Sequence, residues 1–351
     1  MKKLFSGWLI VIASGLSPAW AGNPVLEQSA IVGRQAMHAV LQDVARAGDR
    51  LVAVGERGVV LLSDDNGTSW RQASAVPVSA SLSAVQFVDE HHGWAVGHAG
   101  VVLKSEDGGE HWTLQLDGLR AAALELGSAK ESGNQARIDA AEHLVEDGAD
   151  KPLLALDFTD AQRGMVFGAY GLAFMTQDGG QSWESIMDRL PNPRGLHIYA
   201  VTRSKDAMIV AGEQGLLLRS SDEGEQFNAV QAPYEGSLFT AATFPDGRMA
   251  VGGLRGNLFS SSDDGMSFQT LANPVPASVN GMRVVGDQLV LANQAGMVLR
   301  GGLASFSPRP QMVTDGLPLT AVTQTADGAL VAVGMAGARR VAATSNLSSA
   351  D

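Results

Sequence analysis

Residues 105–112 read SEDGGEHW and residues 176–183 read TQDGGQSW. Both follow the pattern Ser/Thr-x-Asp-x-Gly-x-x-aromatic, and the chain repeats it. The instances are Ser63-Asp65-Gly67-Trp70, Ser105-Asp107-Gly109-Trp112, Thr176-Asp178-Gly180-Trp183, Ser220-Asp222-Gly224-Phe227 and Ser261-Asp263-Gly265-Phe268; a sixth keeps little beyond Phe306. The pattern describes a tight turn. The Asp accepts backbone N–H groups, the Gly allows positive φ, and the aromatic opens the next strand, where it can pack between neighbouring units. This is a structural role, and Asp65, Asp107, Asp178, Asp222 and Asp263 are expected to play it together with Trp70, Trp112 and Trp183. Asp64-Asp65-Asn66-Gly67 admits a calcium reading, but its spacing does not give an EF-hand loop with the closing Glu.

Working outward, each turn is preceded by a hydrophobic stretch ending in Gly-x-x-Gly: VAVGERG at 52–58, WAVGHAG at 94–100, MVFGAYG at 165–171 and IVAGEQG at 209–215. Variants follow as AVGGLRG at 250–256, LANQAG at 291–296 and VAVGMAG at 331–337. The tetrads begin at 55, 97, 168, 212, 253, 293 and 334, so one interval is longer than the rest by about thirty residues. Seven units of about forty residues, each with several short strands, specify an all-β, seven-bladed β-propeller with four-stranded blades. One unit can be read strand by strand: Leu82–Phe87 innermost, then Gly93–Val96, Val101–Lys104 and Trp112–Leu116. The tetrad joins strands two and three, and the Asp turn joins strands three and four. The seventh unit, from Leu319 to Val341, lacks an Asp turn, so a strand within Val25–Arg34 is expected to complete it and close the ring.

The turn resembles the Asp box, or bacterial neuraminidase repeat. The larger unit, xGWAVGxxG followed by VLKSxDGGxxW, resembles the photosystem II stability and assembly factor family more closely, over about residues 35–342. That resemblance implies a seven-bladed, non-catalytic propeller that helps to build or stabilise a membrane protein complex, or docks on one. The later units depart from it by losing Trp and, in the sixth, the Asp.

The chain opens with Met1-Lys2-Lys3, an apolar run from Leu4 to Leu16, and Ser17-Pro18-Ala19-Trp20-Ala21. This reads as a signal peptide at 1–21, cleaved after Ala21, and it is too short for a membrane span. No Cys follows it, so no lipid anchor is expected, and the protein should be periplasmic or secreted. The expected organisation is a propeller over 22–342, a helical insertion at 119–151 between blades 2 and 3, and a disordered tail at 343–351. There is no Cys anywhere, so neither disulfides nor thiol catalysis can operate. The net charge is −12, and losing Lys2 and Lys3 makes it more negative, which disfavours nucleic acid and anionic lipid as main partners. The expectation is a monomer without cofactor or metal. Its partner would be a membrane protein complex or that complex's exported domains, an envelope transporter if the host is not photosynthetic.

Hairpins alternate sides along a meander, so the tetrads share one face with the connections between blades, and the Asp turns occupy the other. The insertion, LRAAALELGSAKESGNQARIDAAEHLVEDGAD, belongs to the tetrad face, with a break at Ser132-Gly133-Asn134. Asn134 can cap a second helix with Ile138, Ala141, Leu144 and Val145 on one side. It reads either as a cover for its own propeller or as an arm for a partner. The side chains between the tetrad glycines project from this face, and Arg57, His98, Tyr170, Gln214 and Arg255 are the partner-binding candidates. Each could equally be a solvated hairpin residue.

The rival reading is a carbohydrate-binding, sialidase-like or glycosidase-like propeller. A sialidase needs an arginine triad and a Tyr–Glu nucleophile pair, yet the chain has three tyrosines (Tyr170, Tyr199 and Tyr234) and no Arg-Ile-Pro motif. Glu56 and Glu213 occupy equivalent hairpins three blades apart, expected at roughly 20 Å, whereas paired glycosidase carboxylates need about 5–9.5 Å. No Walker loop, Gly-x-Ser-x-Gly or His-Glu-x-x-His occurs, and His91-His92 has no third ligand nearby in sequence. No catalytic residue is assigned. An aromatic cluster on the tetrad face would favour the carbohydrate reading.

Overall fold

The computed structural model describes residues 23–302 and 306–341; the expected signal peptide and C-terminal tail lie outside them. Seven antiparallel sheets follow one another along the chain, each a meander running outward from the axis. Their innermost strands are Leu41–Ala47, Leu82–Phe87, Leu153–Phe158, Ile198–Arg203, Leu238–Thr243, Val279–Val285 and Leu319–Gln324. Blades 1 to 6 have four strands. Among the described residues, blade 7 has three.

The tetrads explain why strand two must meet strand one so closely. A Cβ on the first glycine would sit 2.1–2.3 Å from a backbone carbonyl oxygen: Val40 for Gly55, Ser81 for Gly97, Pro152 for Gly168, His197 for Gly212, Ser237 for Gly253 and Pro318 for Gly334. That oxygen belongs to the residue just before the inner strand, and the residue after the glycine donates its N–H to it. The bonds run from Glu56 at 3.0 Å, His98 at 2.8 Å, Ala169 at 3.0 Å, Glu213 at 2.9 Å, Leu254 at 3.0 Å and Met335 at 3.1 Å. At these six positions any side chain would collide with the accepting oxygen, which explains the glycines. Blade 6 has Asn293 instead; Gln294 N–H still reaches Ser278 O, and the Asn293 side chain accepts from Ala295 and Met297 N–H.

The Asp turns are closed as their residue types require. The Ser63 hydroxyl donates to Asp65 and accepts from Gly67 N–H, and Asp65 also accepts the Ser69 N–H and hydroxyl. Asp107, Asp178, Asp222 and Asp263 repeat the scheme. The turn glycine faces the preceding blade: Gly109 lies against Val52 and Leu62, Gly224 against Met165, and Gly265 against Ile209. Trp112 and Trp183 are buried, with indole N–H groups donating to Gly109 O and Gly180 O. Trp112 packs in a cluster drawn from blades 1 and 2, which establishes the inter-blade role of the aromatic.

Side chains join neighbouring inner strands. Asp43 accepts Val85 N–H, the Gln86 amide pairs with both backbone groups of Phe158, and Asp157 pairs with Arg203 at 2.7 Å. Thr202 bonds Thr243, Asn280 donates to Leu319 O, and Thr320 donates to Leu41 O, which ties blade 7 to blade 1. Burial pushes the Asp43 carboxyl upward, opposed by Arg283 and by N–H groups of Val85 and Val44.

Ring closure differs from the sequence expectation. Residues 25–34 do not pair with blade 7. Pro24–Glu27 forms a short helix, α1, with Asn23 as its cap. Val25 O then accepts Ser79 N–H, while Ala30 N–H reaches Val76 O and Ile31 N–H reaches Arg57 O. Val25, Leu26 and Ala30 pack on the cluster of blades 1 and 2. The segment's apolar side chains thus find a core beside the connection leaving blade 1. Blades 7 and 1 close instead through Ala321, Val331 and Val333 against Leu41, Val44 and Leu51. Arg340 also reaches Asn66 O, and Asn66 accepts Ala326 N–H.

The insertion forms two helices, α2 (Gly118–Ser132) and α3 (Gln135–Asp147), capped by Asp117 and Asn134 and separated by Gly133 in the left-handed conformation. It covers its own propeller: Gly118 lies against Ala99 O, and buried Glu125 accepts Arg137 in a bidentate pair and the hydroxyl of Ser185 in blade 3. Ile138 and Leu144 are half-buried and Ala141 is buried, but Val145, expected on the same side, is exposed.

Two predictions follow from these contacts. Gly97→Ala places a Cβ on Ser81 O and should cost about 1–3 kcal/mol in urea unfolding, whereas Gly127→Ala in α2, with open space around it, should be neutral or stabilising. The turn aspartates supply an acid-sensitive component. The hydroxyl and N–H of Ser69, then the hydroxyl of Ser63, hold the Asp65 carboxyl down at about 2, and Ser182 lowers that of Asp178 in the same way. A depressed carboxylate contributes stability that is complete above its unfolded pKa of about 3.9 and is lost as pH falls through the folded value. Urea melts between about pH 5 and 2 should therefore show a steep loss that is shallower in the Asp65→Asn/Asp178→Asn variant.

Candidate functional site

In five blades the third tetrad residue adopts positive φ: Arg57, Ala99, Tyr170, Gln214 and Arg255 at 50–59°. A left-handed residue reverses the chain in so few atoms that its side chain is thrust away from the sheet. Arg57, Tyr170, Gln214 and Arg255 are accordingly exposed. His98 is exposed too, but it is the second tetrad residue and lines the mouth of the central channel; the left-handed residue beside it, Ala99, is buried under α2. The Arg57 and Arg255 N–H groups are held by the hydroxyls of Ser81 and Ser278.

The five candidates do not form one ring. Tyr170 and Gln214 join a cluster, whereas among the described residues no hydrogen bond, ion pair or ring contact links the side chains of Arg57, His98 or Arg255 to it. Tyr170, a bulky residue at φ 57°, is held by its N–H donating to Nδ1 of His197 at 2.9 Å. Because Nδ1 accepts, the neutral His197 ring carries its proton on Nε2. Lys151 Nζ lies 5.1 Å from the Tyr170 ring centre, in cation–π geometry. Arg194 donates to the Gln214 amide oxygen at 3.0 Å.

From Tyr170 an aromatic row runs inward. Tyr170 and His197 are 5.0 Å apart, His197 and Tyr199 6.2 Å, and Tyr199 and Phe239 5.5 Å, all edge-to-face. Tyr199 and Phe239 line a channel of about 910 Å³ bounded by all seven inner strands. The row thus crosses blades 3, 4 and 5 from the exposed face into the channel mouth. Sequence reasoning missed Lys151, Arg194, His197, Tyr199 and Phe239. Superposing the repeats on the start of the inner strand would have shown two of them, because Tyr199 and Phe239 stand where other blades have Gln42, Ser83, Leu154, Asn280 and Thr320.

The two hairpin carboxylates have structural jobs. Glu56 accepts Val40 N–H and Glu213 accepts His197 N–H, both at 3.2 Å, so each secures the residue preceding an inner strand. Burial, and then the charge of Glu213, pushes the Tyr199 hydroxyl upward. A raised pKa is the opposite of what an activated tyrosine nucleophile requires. His92 pairs with Asp89 and His91 with Glu90. Among the described residues no group of three or more His, Asp or Glu side chains is placed to hold a metal ion, and no helix is long and apolar enough to cross a membrane.

The family model described as photosynthesis system II assembly factor YCF48 matches residues 71–144 and 139–236. No curated protein matches the sequence. Among solved structures, YCF48 bound to a D1 peptide is similar at TM-score 0.63 and 14% identity, covering 90% of this chain and 100% of that one. YCF48 from Cyanidioschyzon merolae gives 0.64 and 15%, covering 89% and 97%. The WD40 β-propeller domain of Doa1 gives 0.63 and 12%, covering 92% and 97%. The repeats, the turn chemistry and these comparisons together support a photosystem II assembly factor-like family of β-propellers as the chain's kin in pattern and fold.

Proposed function

We propose that this chain is a non-catalytic, exported propeller whose tetrad face grips a segment of a membrane protein complex, aiding that complex's assembly or stability. The observation that carries the reading is the row Tyr170, His197, Tyr199 and Phe239 beside Lys151 and Arg194. Aromatic and guanidinium groups are the residue types that anchor protein interfaces, and the left-handed backbone of Tyr170 is held by His197 before any partner arrives. That one of the similar structures is YCF48 with a D1 peptide bound supports a peptide as the kind of object gripped. Export rests on the leader-like residues 1–21, and in a host without photosystems an envelope transporter is the client we favour.

The same row favours one second reading. Exposed aromatic faces at a channel mouth also stack on sugar rings, so a carbohydrate-binding propeller is the competing hypothesis. Crosslinking capture from solubilised envelope, read by mass spectrometry, separates the two. The expected result is one membrane complex that is retained by Arg57→Glu/Arg255→Glu and lost, by about tenfold or more, with Tyr170→Ala/Phe239→Ala. Capture that is lost only with the arginine pair would move the site to the outlying hairpins. Absence of any captured protein together with glycan-array binding that depends on Tyr170 would overturn the protein-binding reading.

A further inference from the structure

Blade 7 ends at Gly337–Val341, and among the described residues nothing pairs with the outer edge of that strand. In blade 1 the equivalent strand pairs Leu61 and Leu62 with the outer strand residues Gln72 and Arg71. Strand registers place Arg339 where Leu61 stands and Arg340 where Leu62 stands, since Ala53 pairs with Leu61 and Ala332 with Arg339. The same site holds Leu103, Phe174, Leu218 and Phe259 in blades 2 to 5, all buried. Blade 7 thus presents an exposed arginine where its siblings bury an apolar side chain.

Among the described residues that strand position is unfilled, and beside it lies a cavity of about 610 Å³ with Met37, Leu61 and Trp70 as its apolar lining and the cations of Arg339 and Arg340 on its rim. Trp70 differs from its counterparts beside this edge. Its counterparts Trp112 and Trp183 are 4% and 6% exposed and donate to their turn glycines, but Trp70 is only half-buried and makes no such bond. Arg340 is satisfied by Asp327 and Asn66 O, whereas among the described residues Arg339 meets no carboxylate and donates only to Ala338 O. The chain's own continuation is poorly suited to return here. Val341, Ala343, Ser345 and Ser348 stand where the other blades carry Ser/Thr, Asp, Gly and the aromatic of the turn.

We propose that the outer edge of Gly337–Val341 is a strand-acceptor site, completing blade 7 with an extended segment of another polypeptide that alternates acidic and apolar residues. Main-chain bonds to the free edge would supply register-independent affinity, as in β-augmentation. Apolar side chains would cover Trp70 and Leu61, and a carboxylate would meet Arg339. A basic rim on a chain of net charge −12 selects against basic segments at that spot only. The site lies on the outer rim and stands or falls independently of the tetrad face.

The test uses the full chain and a fluorescein-labelled peptide of about ten residues alternating Val and Glu, followed by anisotropy and amide hydrogen exchange. Binding is expected, with slowed exchange within 338–341. Arg339→Glu should weaken it about tenfold or more, as should N-methylation of the peptide backbone, and a Val–Lys peptide should not bind. Lys205→Glu, a change at another exposed hairpin, should leave the affinity unchanged. Binding that ignores both Arg339→Glu and N-methylation would overturn the proposal. So would binding seen only after removal of residues 342–351, because the chain's own tail would then be the occupant.

Discussion

The contact on which the propeller rests is a backbone bond made six times beside a glycine and once beside an asparagine. In each blade the residue after the first tetrad position donates its N–H to the carbonyl that precedes the inner strand. The bond joins the hairpin between strands two and three to the chain arriving from the previous blade, so each blade is pinned to its own point of arrival. The six glycines follow from the approach distance, since any Cβ would overlap the accepting oxygen. In blades 1 to 5 the residue two positions later is left-handed, and in four of them its side chain is exposed on the face. The device that holds the blade together is therefore also the one that displays the candidate binding residues.

The Asp turns serve the opposite face and the radial direction. Each closes its own hairpin with a hydroxyl and a carboxylate, leaving the glycine bare enough to lie against the preceding blade and the aromatic free to fill the gap. Inner strands splay too far apart around the axis to exchange backbone bonds, and polar side chains such as Asp43, Gln86, Asn280 and Thr320 bridge them instead. Closure from blade 7 to blade 1 uses the same means, apolar packing and side-chain bonds, without a shared strand. The ring is thus sealed at its hub, and among the described residues its last blade has an unpaired outer edge.

Much of the architecture was legible because it is written locally. The strand order, the two hairpin types and the position of the insertion each depend on residues within about ten positions of one another, and repetition makes such signals add. The seven tetrads and five Asp turns therefore named the blades and the face that carries Arg57, His98, Tyr170, Gln214 and Arg255. The path of residues 25–34 was not legible. A short apolar segment suits any open edge by pattern, and its destination is decided by which core offers a fit, here the one shared by blades 1 and 2.

By itself, the sequence determined the fold, the repeat boundaries and the structural duty of the aspartates, because hairpin chemistry acts between near neighbours. The tertiary structure alone decided that Tyr170, His197, Tyr199 and Phe239 form a continuous row while Arg57 and Arg255 stand apart, and that Arg339 lies on a strand edge unpaired among the described residues. These juxtapositions join residues from different blades, brought together by the closing of a ring. No spacing along the chain encodes which side chains meet across that closure.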